Sequence, residues 1–176
     1  MEHVRALFFD VFGTLVDWRG SIAREAGAIL SPLGVAIDWE AFADAWRSQY
    51  QPAMNEVRSG SLPFSKLDVL HRRNLDVILK DFGVGGLDES TRVNLNLAWH
   101  RLDAWPDTGP GLARLRAKFR IAPCSNGNIS LMVDLARRNG LVWTRFSERK
   151  LPGTTSRSRP SILQPPQPSI ASPAKR

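Results

Sequence analysis

The pattern of apolar and polar positions divides the chain into one strand, a series of helices, and a second strand with its own helices. The stretch from Val4 to Phe9 is mostly apolar and aromatic and leads into a turn at Gly13, which predicts a short buried strand. Apolar residues then recur at helical spacing in four segments, 21–30, 38–57, 63–83 and 88–102. A short helix at 109–119, a strand at 120–125 and a helix at 128–140 follow.

Boundary residues refine the predicted helices. Ser21 is the expected N-cap of the first helix, and Asp38 is expected to begin the second. Pro52 should kink or end that second helix, because proline lacks the N–H that a helix interior requires. Gly83 and Gly140 are expected to end the helices that precede them. This order of elements predicts an α/β sheet with a helical lobe inserted after its first strand.

From about Trp143 onward the helical and strand periodicity ends. The segment 144–176 contains six of the 12 prolines and many serines, so we expect it to be disordered. It also carries seven Lys or Arg and one Glu, whereas the first 143 residues carry 17 basic and 16 acidic groups. Of the net charge of +7, the tail therefore carries +6 and the first 143 residues +1, and we expect no nucleic-acid partner.

Several classes of protein do not fit the composition. No run of about 18 apolar residues is present, so no membrane association is expected. The N-terminus lacks the features of a signal peptide, which favours a cytoplasmic location. Cys124 is the only cysteine, which excludes an intrachain disulfide and a cysteine-based zinc site. We expect its side chain to lie in the core, on the strand face opposite Ser125.

Two polar residues follow the predicted strands. Asp10 follows the first strand and Ser125 ends the second, and each is followed by a turn and a helix. Ligands of open α/β sheets bind beyond the carboxyl ends of the strands, where turn N–H groups and helix N-termini hold anions. The alternative is that Asp10 caps a turn and that Ser125 and Asn126 form an ordinary Asx turn. Their occurrence at two strand ends together favours a site.

The segments "FFDVFGTLVDW" and "CSNGN" resemble the haloacid dehalogenase superfamily, specifically its type II L-2-haloacid dehalogenases. The resemblance extends from Val4 to Trp143. It implies an α/β, Rossmann-like core formed by residues 1–15 and 101–143, with a helical cap at 16–100 inserted into it. The core would be incomplete at the C-terminus, where the tail at 144–176 follows.

Phe12 distinguishes two branches of the superfamily. Its phosphatases carry a second aspartate two residues after the nucleophile, which protonates the leaving alkoxide. Phe12 occupies that position here, and a departing halide needs no proton. Loss of a general acid costs about 10²–10⁴-fold in rate, so a phosphatase is the less favoured alternative. The resemblance to the dehalogenases also implies that no metal or other cofactor is needed.

The resemblance assigns roles to matching residues. Asp10 would attack Cα of a small 2-haloacid substrate, displace halide and form an ester whose hydrolysis gives a D-2-hydroxy acid. Thr14 would hydrogen-bond near this nucleophile. Ser125 and Asn126, with backbone amides, would hold the substrate carboxylate. Arg47 matches an arginine near the leaving halide, the alternative being a solvated helix residue.

Other side chains receive structural assignments. Val11 and Phe12, next to the nucleophile, are counted among the substrate-binding positions. Trp46 is expected in the core, and His71 in "LHRRN" is expected on a helix surface. Asp17 is expected to shape the turn into the first helix.

The family's sequence would continue after Trp143 with a strand, a motif lysine and a further strand, and none of these is recognisable. Loss of these parts predicts poor solubility and little activity. A second alternative is therefore an inactive remnant whose basic tail binds anions. Members of the family often form homodimers, but no dimer surface can be read from the pattern.

We hypothesise that a shifted reading frame produced the tail. Back-translation from Thr144 with one G restored after the Trp143 codon can read D-A-I-L-G-A-E-I-A-G-D-Y-K-S-K-P-A-V-Y, with the motif lysine where Ser156 stands. A natural disordered extension is the alternative. Sequencing of the DNA across codons 140 to 160 should show the intact family frame, and the absence of any recoverable frame would refute the hypothesis.

Overall fold

A computed structural model describes residues 4–144 and residues 147 and 148. Its strands are β1 Ala6–Phe9, β2 Val16–Asp17, β3 Asp103–Ala104, β4 Arg120–Ser125 and β5 Ser147–Glu148. Its α-helices are α1 Trp18–Leu30, α2 Trp39–Ser48, α3 Tyr50–Ser59, α4 Leu67–Asp81, α5 Glu89–Asn96, α6 Thr108–Arg116 and α7 Ile129–Asn139. Short 3₁₀ helices follow α1 at Ser31–Leu33 and α5 at Leu97–His100. Most of the predicted disordered tail lies outside the described residues.

A parallel sheet positions the two polar strand ends. Its strand order is β1-β4-β5, and β1 pairs with β4 from Ala6 opposite Arg120 to Phe9 opposite Pro123. The carboxyl ends of both strands therefore lie at the same edge of the sheet. Six α-helices, α1 to α6, lie in the chain between β1 and β4. The predicted α/β fold is confirmed, whereas the exact core and cap boundaries stay a prediction.

The first helix begins earlier than predicted. Asp17 is its N-cap, with a side-chain oxygen accepting a hydrogen bond from the Gly20 N–H at 3.0 Å. The predicted Ser21 cap is wrong, because this position is already inside the helix. Ser21 is buried, and its hydroxyl accepts the N–H of Asp103 at 2.9 Å. The expected role of Asp17 in the turn is thereby confirmed.

The predicted helix 38–57 is two helices. Asp38 caps the first as predicted, accepting the N–H groups of Glu40 and Ala41 at 3.0 Å each. The chain then breaks at Gln49, and Pro52 lies in the first turn of α3. Proline in a continuous helix would leave the Ser48 carbonyl without its N–H donor, so the break precedes Pro52. Gly83 and Gly140 follow their helices with positive φ, as expected.

Aromatic rings form much of the core. Trp46 is 1% exposed, which confirms its core assignment, and its ring packs edge-on against Phe42 and Trp99 at centroid distances of 6.0 and 5.6 Å. Its indole N–H donates to the His71 carbonyl at 3.0 Å, which satisfies the polar end of the buried ring. In the described part of the chain, no helix is long and apolar enough to cross a membrane.

The described sheet leaves part of β1 uncovered. Phe8 is 66% exposed, whereas Phe9 packs against Trp143 at a ring distance of 6.3 Å. Among the described residues, β1 pairs with β4 alone. An exposed phenylalanine on a strand with a free edge favours association between chains.

A polar cluster around His100 connects the inserted helices to α7. The His100 ring meets Asp134 of α7 through Nδ1 at 2.8 Å and Asp68 of α4 through Nε2 at 3.2 Å. Asn128, the N-cap of α7, donates to the second oxygen of Asp68 at 2.8 Å. Burial disfavours the charged imidazole, but hydrogen bonds to the two carboxylates outweigh it and raise the pKa of His100.

This cluster predicts a stability that depends on pH. Because folding raises the pKa of His100, this residue contributes fully to the free energy of unfolding below pH 6.5, the pKa in the unfolded chain. That contribution is lost as the pH rises through the pKa in the folded protein. The substitution His100→Gln should therefore cost about 1–3 kcal/mol in unfolding free energy at pH 6 and less at pH 9. Urea unfolding at both pH values measures this difference. An equal cost at pH 6 and pH 9 would contradict a charged His100.

Candidate active site

Asp10 stands at the carboxyl end of β1, in the turn that leads to β2. Its Oδ2 accepts a hydrogen bond from the Thr14 hydroxyl at 3.2 Å. Gly13 allows this tight turn with a φ of +87°, and its N–H donates to the Val16 carbonyl at 3.0 Å. Asp10 is exposed in the described structure, so the carboxylate carries no burial cost there.

The second strand end brings Ser125 and Asn126 to the same edge of the sheet. Ser125 is 5% exposed, and the Asn126 amide donates to the hydroxyl of Tyr50 on α3. A side chain at Gly127 would place its Cβ 2.3 Å from Met132, so the loop passes close to α7. The turn after β4 is thereby held between an inserted helix and the helix that follows it.

Arg47, near the end of α2, supplies the positive charge. Its guanidinium lies over the Tyr50 ring at 4.5 Å and near the Trp18 ring at 5.9 Å. No acidic side chain of the described residues lies within 4.0 Å of it, in contrast to other arginines of the inserted helices, such as Arg19 and Arg72. Aromatic packing therefore holds the guanidinium while its charge stays available to an anion.

These elements enclose a cavity of about 70 Å³. It is lined by five of the predicted site residues and by four others, namely Asp10, Phe12, Arg47, Ser125 and Asn126 with Tyr50, Leu67, His71 and Trp99. Two further predicted residues do not line it. Thr14 reaches the cavity only through its hydrogen bond to Asp10, and Val11 is 2% exposed and packs in the core. The Val11 side chain therefore lies in the core, and its predicted contact with substrate stays a prediction.

The predicted surface position of His71 is wrong. His71 is 4% exposed, and its ring stacks on Trp99 at 4.2 Å with an interplanar angle of 22°. The charged residues beside it in "LHRRN" suggest a surface position. However, Leu67, His71 and Leu75 recur every fourth residue and share the buried face of α4. That spacing is the signal that would have identified His71.

Burial also fixes the charge of His71. Desolvation is the main cause that lowers its pKa to about 3, against the raising effect of Asp68 and with smaller lowering effects of Arg47 and His100. His71 is therefore neutral near pH 7. Cys124 lies on the face of β4 opposite Ser125 but is half-buried, so its predicted core position holds only in part.

Several known proteins are similar to this chain in sequence and fold, although no protein-family model matches it. The curated (S)-2-haloacid dehalogenase 1 of Pseudomonas sp. strain CBS-3 is 32% identical over 144 residues, which are 81% of this chain and 60% of that protein. The crystal structure of the defluorinating L-2-haloacid dehalogenase Rha0230 matches with a TM-score of 0.81 and 42% identity, covering 83% of this chain and 60% of that one. The L-2-haloacid dehalogenase PA0810 matches with a TM-score of 0.77 and 44% identity, covering 82% of this chain and 61% of that one.

The parallel strands, the aspartate after β1 and the inserted helices give the chain a haloacid dehalogenase-like fold. Its sequence and structure are similar to those of the L-2-haloacid dehalogenases, as the resemblance predicted. The chain spans about 60% of the length of these relatives.

The opposite pKa shifts of two histidines can be measured directly. In an NMR titration of the imidazole signals, His100 should titrate above 6.5 and His71 should remain neutral down to about pH 4. In the unfolded chain His71 gains a proton below pH 6.5, whereas burial keeps the folded ring neutral to much lower pH. The free energy of unfolding therefore decreases as the pH falls below 6.5. Titration of both rings near 6.5 would contradict the described burial.

Proposed function

We propose that this site carries out the hydrolytic dehalogenation of L-2-haloacids to D-2-hydroxy acids. The observation that supports this proposal is the single cavity that joins the Asp10 carboxylate, the Arg47 guanidinium and the Ser125–Asn126 turn. A nucleophile, a cation and a set of hydrogen-bond donors are the groups that displacement of halide from an anionic substrate requires.

In the first step, a carboxylate oxygen of Asp10 attacks Cα of the haloacid. The new C–O bond forms as the carbon–halogen bond breaks, and the halide leaves with the bonding electron pair and with inversion at Cα. Thr14 donates to Oδ2 of Asp10 and thereby orients the carboxylate for attack. Ser125 and Asn126 hold the substrate carboxylate, and Arg47 stabilises the departing halide.

In the second step, water attacks the carbonyl carbon of the Asp10 ester. The ester C–O bond on the aspartyl side breaks, which releases the hydroxy acid and restores the Asp10 carboxylate. One water is consumed, and one proton and one halide ion are released for each haloacid. The proposed roles of Val11 and Phe12 are limited to backbone and apolar contacts beside the nucleophile.

Phosphate-ester hydrolysis is the alternative reaction of the superfamily. Phe12 lines the cavity two residues after Asp10 and packs edge-on against Trp99 at 6.0 Å. An apolar ring there supplies no proton to an alkoxide leaving group, so the cavity favours halide displacement. The proposed basic-tail function, the homodimer and the cytoplasmic location stay predictions.

The test is release of halide from L-2-chloropropionate by the purified 176-residue chain. The substitution Asp10→Asn should reduce release by about 10⁴-fold or more, because it removes the nucleophile. L-2-fluoropropionate and L-2-bromopropionate, assayed beside it, define the preferred halogen. Intact-mass spectrometry adds a second measurement, since slow hydrolysis would leave the propionate ester on Asp10.

A matched control is Asp81→Asn, which removes a carboxylate at the end of α4 that does not line the cavity. This variant should release halide at the rate of the unaltered chain. Equal release or equal ester formation by the Asp10→Asn variant would refute Asp10 as nucleophile.

A further inference from the structure

One part of the cavity has no role in the proposed reaction. His71 and Trp99 line it as a stacked pair, with ring centroids 4.2 Å apart. Trp46 packs edge-on against both rings, at 6.5 Å from His71 and 5.6 Å from Trp99. The orientation of the imidazole is thus fixed on one face by an indole and at its edge by another. The packing therefore holds His71 in one orientation at the cavity wall.

The hydrogen bonding of the imidazole is incomplete. His71 Nδ1 is buried without a hydrogen-bond partner among the described residues. Nε2 has no hydrogen-bond partner among the described residues either, but unlike Nδ1 it is not completely buried, so it is the ring nitrogen that a ligand in the cavity can reach. A neutral imidazole has one N–H and one acceptor nitrogen. The tautomer with its N–H at Nε2 therefore presents a donor without a partner to the cavity.

Charge in the cavity comes from other residues. Arg47 carries a positive charge and lines the same cavity as His71, and this charge also lowers the pKa of His71. Two adjacent cations would repel, whereas a guanidinium beside a neutral N–H donor can bind one anion together. In such an arrangement Arg47 attracts the anion by its charge, and the uncharged ring of His71 donates a directed hydrogen bond to it.

We propose that His71 is a further substrate-contacting residue, whose Nε2–H donates a hydrogen bond to the small anion that Arg47 attracts into this cavity. The inference rests on the proposed function and deepens it, because the anion is either the carboxylate of the haloacid or the departing halide. Trp99 is a positioning residue that holds the imidazole by stacking.

The test is NMR titration of the 176-residue chain with sodium bromide and, separately, with sodium D-lactate, both at constant ionic strength. The substitution His71→Phe keeps a ring that can stack on Trp99 but removes the N–H. It should weaken binding of at least one probe by about ten- to a hundredfold. An effect on bromide alone assigns the contact to the halide, and an effect on lactate alone assigns it to the carboxylate.

Two further variants separate a hydrogen bond from packing. His71→Gln restores an N–H near the position of Nε2 without the ring, so it should bind within about threefold of the unaltered chain. Asn74→Leu is the matched control, because Asn74 is a buried residue of α4 with an unpaired side-chain nitrogen but does not line the cavity. This control should leave binding unchanged. Should His71→Phe not fold, the ¹⁵N shift of Nε2 in the unaltered chain must move on addition of the bound probe.

The outcomes also separate this inference from the proposed function. Binding that depends on His71 without any Asp10-dependent halide release supports the anion contact and refutes the dehalogenation. Halide release together with unchanged binding by His71→Phe refutes the contact and leaves the dehalogenation standing. Failure of the unaltered chain to bind either probe, or an unmoved Nε2 signal, overturns the inference.

Discussion

The parallel pairing of β1 with β4 is the constraint on which the site depends. Parallel hydrogen bonding places both carboxyl ends at one edge, so Asp10 and Ser125 become neighbours although 115 positions separate them in the chain. The inserted helices pack over that edge, where the Asn126 amide after β4 donates to the Tyr50 hydroxyl of α3. Arg47, Tyr50 and His71 reach the cavity as a result of that packing.

Aromatic contacts convert this topology into a cavity of fixed shape. Trp46 lies between α4 and the 3₁₀ helix that carries Trp99. Its ring packs edge-on against the rings of His71 and Trp99, and its N–H donates to the His71 carbonyl. Asn126 meets Tyr50 on the opposite side. The strand-end turn and the inserted helices are therefore joined both by apolar packing and by directed hydrogen bonds. Displacement of one of these rings would alter the spacing of charged groups across the cavity.

The sequence predicts those features that depend on local chemistry. Turn residues after each strand locate Asp10 and Ser125, and apolar spacing locates the helices in the right order. The helix break at Gln49 and the start of α1 after Asp17 depend on which of several neighbouring residues caps or ends a helix. Hydrophobic periodicity does not distinguish between these residues. The burial of His71 follows from its four-residue spacing with Leu67 and Leu75, which its charged neighbours obscure. Its stacking on Trp99, 28 positions away, is a contact that no local pattern contains.

The charges around the cavity match an anionic substrate. In the proposed reaction, a carboxylate nucleophile and an anionic haloacid repel each other, so attack requires positive charge and hydrogen-bond donors around the substrate. Arg47 supplies the charge without an acidic partner among the described residues. A protonated His71 beside it would add a second positive charge at a high desolvation cost, and burial keeps that ring neutral. The cavity thus combines a single cation with uncharged donors, which balances the repulsion without creating another charge pair to desolvate.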